Sequence, residues 1–272
     1  RLYFALIGLP PSSEELAHFG ASVQAHGMDS AIEQCVDALL QSPQFGERWG
    51  RHWLDVARFA ESSGKEANIS FPYAFRYRDY VIDCFQQDLP FDRFLTEQIA
   101  GDLLPYENSA ERARLLTATG FLAVGTKNLD AVDAKQFAAD IIDEQIDTVT
   151  RAVLGSSIAC ARCHDHKFDP FTMQDYYSLA GIFVSTKTYF GTAVSPSNRQ
   201  SGDPLVLPRL EGQQIFHKSI PAARVKTLTE QLISLRAEQE AGLAAVYKAV
   251  AEGRDTSGIF EIRDALRIFW QS

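Results

Sequence analysis

Apolar residues in this chain recur at steps of three and four for most of its length, and no stretch shows the strict alternation of a half-buried strand. That period restricts the fold to helices packed on helices. Ser12 and Glu15, after Pro10-Pro11, have capping-box spacing and open a helix that fades near His26 and Gly27. Ser30 and Glu33 repeat the spacing, with Ile32, Cys35, Val36 and Leu39 on one stripe, and Pro43 is expected to end that helix. A third helix over 45–61 turns Phe45, Trp49, His52, Trp53, Val56 and Ala60 to one side. Further helices are expected over 73–86 (Tyr77, Tyr80, Val81, Cys84 and Phe85 inward), 91–103, 109–124 and 132–154, the last stopped by Gly155. In it Ile142, Ile146, Val149 and Val153 form the apolar stripe, and Asp140, Asp143, Glu144 and Asp147 an acidic face. A short helix over 174–184 carries Tyr177, Leu179, Ala180 and Phe183.

The period breaks over 187–220, which is rich in Ser, Pro, Gly and Asn and reads as a linker or surface loop. Beyond it Val225, Leu228, Leu232, Leu235, Leu243, Val246 and Val250 mark an amphipathic helix, and a last helix is expected over 260–270. The fold class is therefore mainly α. An irregular multi-helix domain (1–186) is followed by a long connector (187–220) and an amphipathic helical segment (221–272).

The 272 residues carry a net charge of −9, a field that repels phosphate backbones and argues against a nucleic-acid partner. No run of about 18 apolar residues offers a membrane span. The chain opens without Met, inside a structural element and without signal-peptide features, so a longer parent protein is expected. Four cysteines are too few for a disulfide-built scaffold of this size, and Cys35 and Cys84 sit on apolar helix stripes as small core residues.

Chemistry concentrates at Cys160-Ala161-Arg162-Cys163-His164, the C-x-x-C-H spacing of covalent c-type haem attachment. Two thiols one turn apart can bond the two vinyl groups of one porphyrin while the next imidazole takes the iron. For this composition a chance occurrence is about one in 800. A thioredoxin-like pair lacks its βαβ setting, and a structural disulfide is a further reading. Zinc on Cys160, Cys163, His164 and His166 is the stronger alternative, although structural zinc sites draw a second ligand pair from a separate knuckle.

If iron is held by His164, the distal position falls to His52, to Met173, or to water. An open position would make a haem enzyme, and a filled one an electron carrier. His18, His26 and His217 sit in more polar surroundings. In Asp165-His166-Lys167-Phe168-Asp169-Pro170, Asp169 is expected to form a turn and Asp165 to orient His164 or cap a turn, while His166 and Lys167 are candidates to meet the haem edge and its propionates. Arg48, Arg51, Arg58, Arg76 and Arg78 are further propionate candidates.

LIGLPP (6–11), FGERWGRHWLDVARFAESSG (45–64), FRYRDYVI (75–82), PFDRFLTEQIAGDLLP (90–105), ATGFLAVG (118–125), DEQIDTVTRAVLG (143–155), CARCHDHKFDP (160–170) and DYYSLAGIF (175–183) together resemble the central domain of planctomycete secreted cytochrome-c-like proteins. That domain has long been described as one of unknown function. The resemblance implies an extracytoplasmic multidomain protein with a separate haem domain before this region and an uncharacterised one after it. It also implies thioether roles for Cys160 and Cys163 and a proximal role for His164. It leaves His52 and the DHKFDP run without assigned roles, and places Met173 at a variable position. The expected cofactor is covalent haem c, with zinc as the alternative, and the expected partner is a redox protein or fused haem domain.

Overall fold

A computed structural model describes residues 1–65, 68–192, 199–209 and 222–253. Its helices are α1 (Leu2–Leu6), α2 (Ser13–His26), α3 (Met28–Leu40), α4 (Pro43–Val56), α5 (Phe75–Gln86), α6 (Phe91–Ala100), α7 (Ser109–Ala118), α8 (Ala134–Leu154), α9 (Met173–Val184) and α10 (Ala222–Ala251). Short 3-10 turns follow α6, α7 and α8, at Gly101–Leu103, Thr119–Leu122 and Ala159–Arg162. Among the described residues there is no β-strand, only a bridge between Ser62 and Ser70, so the fold is mainly α. By internal contact the chain divides into Arg1–Glu211 and Gly212–Ser272.

Helix starts follow local chemistry. Ser12 and Glu15 form the expected capping box, Asn108 and Asp133 accept the first amides of α7 and α8, and Thr172 with Asp175 makes a second box at α9. The box expected at Ser30 does not form. Gly27, at φ 85°, turns the chain so tightly that α3 begins at Met28, and Ser30 lies inside it. Instead the Ser30 hydroxyl accepts from Gln34, whose carbonyl accepts from Ser22 on α2. Pro43 likewise does more than stop α3: it is the first residue of α4, where a missing N–H costs nothing.

The face of α4 also differs from the expected one. Gly46, Gly50, Trp53 and Ala57 are buried, while Trp49, His52 and Val56 are exposed. Close approach outweighs side-chain size here, since a Cβ on Gly46 would lie 2.7 Å from the Ile82 carbonyl of α5. The glycine stripe lets the two backbones touch and rotates the large apolar residues aside.

The first core joins Trp53, Tyr77, Tyr80, Val81, Cys84, Phe94, Ala118 and Phe121. The Gln98 amide oxygen accepts from Trp53 Nε1 (2.8 Å) and Tyr77 Oη (2.5 Å), so both aromatic polar tips are satisfied inside it. Beside it Glu97, fully buried, accepts from Tyr80 (3.0 Å), Arg93 (2.8 Å) and Arg114 (2.5 Å). A smaller core joins Ile146, Ile158, Ala161, Tyr176 and Phe183 of α8, α9 and the turn between them.

The carboxylates of α8 do not stand as a free acidic face. Arg162 lies 3.5 Å from Asp140 and 3.4 Å from Asp143, Arg58 lies 3.4 Å from Glu144, and Arg151 lies 3.1 Å from Asp147. After α9 the described chain stays on the body: Thr188 accepts from Gln145, Phe190 packs on Phe137, and the Arg199 and Gln200 amides reach the Leu129 carbonyl. In the second unit α10 is a long helix with Val225, Leu228, Leu232 and Leu235 exposed. The side chains of Leu243 and Val246, His217, and the helix expected over 260–270 lie outside the described residues. No described helix is long and apolar enough to cross a membrane.

Candidate functional site

The C-x-x-C-H segment hangs from the end of α8. Gly155 closes that helix in the left-handed conformation (φ 66°), sending the chain back over the α8–α9 surface. Ile158 and Ala161 then bury completely against Ile146 and Tyr176. These two anchors decide the orientation of everything between and after them: Cys160, Cys163 and His164 turn outward and are exposed. Ala159–Arg162 form a 3-10 turn that Cys163 caps, its amide donating to the Cys160 carbonyl at 3.3 Å, so one backbone turn joins the two cysteines. Both thiols are free.

His164 Nδ1 lies 2.9 Å from the Asp165 carbonyl. In the tautomer that donates this bond, the Nε2 lone pair points away from the backbone and is available to a ligand-seeking ion. Asp165 in turn accepts the Met173 amide (2.8 Å), fixing the start of α9 beside the motif. Tyr177, one turn on, donates to the Arg162 carbonyl (3.0 Å), and the Arg162 guanidinium spans Asp140 and Asp143. The site thus lies between α8 and α9, with half-exposed Met173 and Tyr177 along one side.

His166 has a different task. Its Nδ1 accepts from the Asp169 amide (2.9 Å), and its backbone amide donates to the Phe171 carbonyl (2.8 Å). Asp169 is tied to Ser156 (2.8 Å) across the loop. His166 therefore holds the 165–171 loop closed, with only its Nε2 side left over. Lys167 stands over the Phe168 ring at 5.1 Å, and Phe168 is 84% exposed, an apolar side chain presented to solvent next to the motif.

The other sequence candidates are scattered. His52 is exposed on α4 with its ring edge-on to Trp49 at 5.5 Å. Arg58 is committed to Glu144, Arg78 to Glu61 and Asp79, and Arg76 to the Phe75 ring. Cys84 is buried and Cys35 partly so, and neither is bridged. Among the described residues no group of three or more His, Cys, Asp or Glu side chains is gathered as a metal ion would need.

Residues 1–188 match the family model PSCyt2, described as "Protein of unknown function (DUF1549)". The chain belongs to the PSCyt2 family. The match covers all of α1 to α9 and therefore the whole C-x-x-C-H segment with its anchors; α10 falls outside it. No curated protein and no solved structure matched the chain. For a PSCyt2 member the site must therefore be read from its own chemistry.

Sequence reading missed Arg162 and Tyr177 as the supports of the motif. The acidic residues of α8 were the available signal, since paired carboxylates one turn apart call for a cation opposite. It also missed a cleft of about 550 Å³ beside α8, lined by Lys127 and Glu144 among others.

Proposed function

We propose that Cys160, Cys163 and His164 form the covalent attachment site of a c-type haem, and that this PSCyt2 domain serves extracytoplasmic electron transfer to a fused or separate redox protein. The observation that carries the reading is the pair of free, exposed thiols joined across one backbone turn, the Cys163 amide donating to the Cys160 carbonyl at 3.3 Å, followed directly by an imidazole whose Nδ1 faces a backbone carbonyl. The donor set fits: each thiol can add across one vinyl group, forming a C–S bond while the sulfur's proton passes to the neighbouring carbon. His164, through Nε2, would be the residue that ligates its iron.

The group would supply one-electron chemistry. The protein's own residues supply the rest. Ile158 and Ala161 fix the turn, Asp165 orients His164, and His166 keeps the loop shut beneath it. Phe168, Met173 and Tyr177 offer exposed apolar surface beside the thiols. Met173, tied to the motif through Asp165, is nearer by connectivity than His52 as a sixth ligand.

The test is a reduced-minus-oxidised spectrum of the full chain produced in a host with haem-maturation machinery. A sharp α band that survives acid-acetone extraction is expected. A colourless protein that retains zinc would overturn the reading in favour of a bare-metal site. Carbon monoxide binding to the reduced protein would mark an open sixth position, and Met173→Ala should create or increase it if the thioether is the ligand.

A further inference from the structure

A second cluster of chemistry lies away from the thiols, where the chain after α7 runs beside α8. Gly125 turns the chain there at φ 112°, a conformation that side-chain-bearing residues rarely adopt, and brings it beside the Arg58 carbonyl and Glu144. The next residues and α8 enclose a cleft of about 550 Å³, within the range of small-molecule sites. Phe137 and Ile141 form its apolar wall, and Lys65, Lys127, Asp140 and Glu144 bring charge to it.

Lys127 is only 4% exposed. Its Nζ donates to the carbonyls of Ala123 (2.5 Å) and Gly125 (3.2 Å), and the rings of Phe190 and Phe71 stand 5.6 and 5.9 Å away. Two acceptors satisfy the two hydrogens of a neutral amine and leave its lone pair unused. Burial, with help from the Arg58 charge and against the pull of Glu144, pushes this amine down to about 8. Glu144 is raised by the same burial, partly offset by Arg58 and Lys127.

The support around Glu144 is strained. Arg58, which holds that carboxylate and donates to Thr148, adopts φ 54° although it is not glycine, and its Nε is buried without a hydrogen-bond partner. Such departures cluster where geometry serves chemistry.

We propose that this cleft is a second chemical site, one that takes a small aldehyde or ketone, with the Lys127 amine attacking the carbonyl carbon. The amine forms the C–N bond, the carbonyl oxygen is protonated and leaves as water, and the nitrogen gives up its proton to leave a C=N imine. Amine and carbonyl go in, imine and water come out, and no oxidant is needed. Glu144, lining the same cleft, is the group placed to deliver and recover the proton. Lys65 at the rim suits a substrate that also carries a carboxylate.

The site owes nothing to Cys160, Cys163 or His164, so haem-free protein tests it and either reading can fall alone. The probe is glyoxylate with cyanoborohydride near neutral pH, followed by peptide mapping of carboxymethyl-lysine. A lysine near 8 is neutral roughly 300-fold more often at pH 7 than an ordinary one, so Lys127 should be modified on the order of 10-fold or more faster than exposed Lys135. Glu144→Gln removes the carboxylate that raises the amine, so the pH midpoint of labelling should fall. Ile141→Trp fills the cleft with Lys127 intact and should abolish the preference while helical circular dichroism is unchanged. Labelling of Lys127 no faster than Lys135, or a preference that survives Ile141→Trp in a folded protein, would overturn the proposal.

Discussion

Cys84 and the pair Cys160/Cys163 show how differently one fold treats the same side chain. Cys84 faces Tyr80 and Glu97 in the first core, where burial pushes its thiol up to about 11. Cys160 and Cys163 stand exposed on a turn whose burial is supplied entirely by Ile158 and Ala161. In the α4–α7 region, packing buries Trp53, Tyr77, Tyr80, Phe94 and Phe121, and Gln98 and Glu97 satisfy their polar tips. In the 156–171 segment, two small anchors and a histidine-closed loop hold the backbone while the reactive groups remain free. Stability and chemistry are therefore carried by different residues, and substitutions should separate them.

The largest effect should come from Trp53→Ala, which removes a buried indole and leaves the Gln98 and Tyr77 dipoles short of a partner. A loss of about 4 kcal/mol in urea unfolding is expected, with haem attachment impaired only through unfolding. Glu97→Gln comes next, about 2 kcal/mol, because the buried carboxylate that Arg93 and Arg114 reach from the surface loses its charge and its charge-assisted bonds. Burial raises the Glu97 carboxyl, but the bonds from Arg114, Arg93 and Tyr80 outweigh it and hold the group below the ordinary carboxylate range. Its contribution is therefore full above the unfolded carboxyl pKa and is lost as pH falls through the lower folded value. Unfolding midpoints measured from neutral pH downward should converge for wild type and Glu97→Gln.

His166→Ala should cost about 1 kcal/mol, from the loop amide left unpaired, and should increase proteolytic nicking within 165–171. The smallest stability effect belongs to Cys160→Ser/Cys163→Ser, within about 0.5 kcal/mol, since neither thiol is buried or bonded. Alkylation of haem-free protein should sharpen the same contrast: both exposed thiols should react under native conditions, and Cys84 only on unfolding. A native-state reaction of Cys84 at the rate of Cys160 would break the distinction.

Much of this contrast was legible in the sequence. Helical periodicity located α2 through α9, the Tyr77-Tyr80-Val81-Cys84 stripe turned inward as expected, and the Gly155 stop formed. The register of α4 was hidden because hydrophobicity ranks Trp49 above Gly50, whereas helix crossing distance rewards the glycine. Ser30 misled for a related reason: a capping pair is recognised by spacing, but Gly27 had already turned the chain. At the site, the motif itself was plain, while its supports were not. Arg162 and Tyr177 act across elements, and Lys127 becomes a buried amine only when Phe137, Phe190 and α8 close around it. Such roles depend on long-range contacts that no local pattern encodes.

The most direct measurement is the intact mass of the denatured chain after expression with haem-maturation machinery, compared with Cys160→Ser/Cys163→Ser made alongside. A haem adduct on the wild type, absent from the double variant while both fold to the same helical content, is the predicted result. Wild-type protein whose denatured mass is that of the bare polypeptide, with both thiols still open to alkylation, would contradict it.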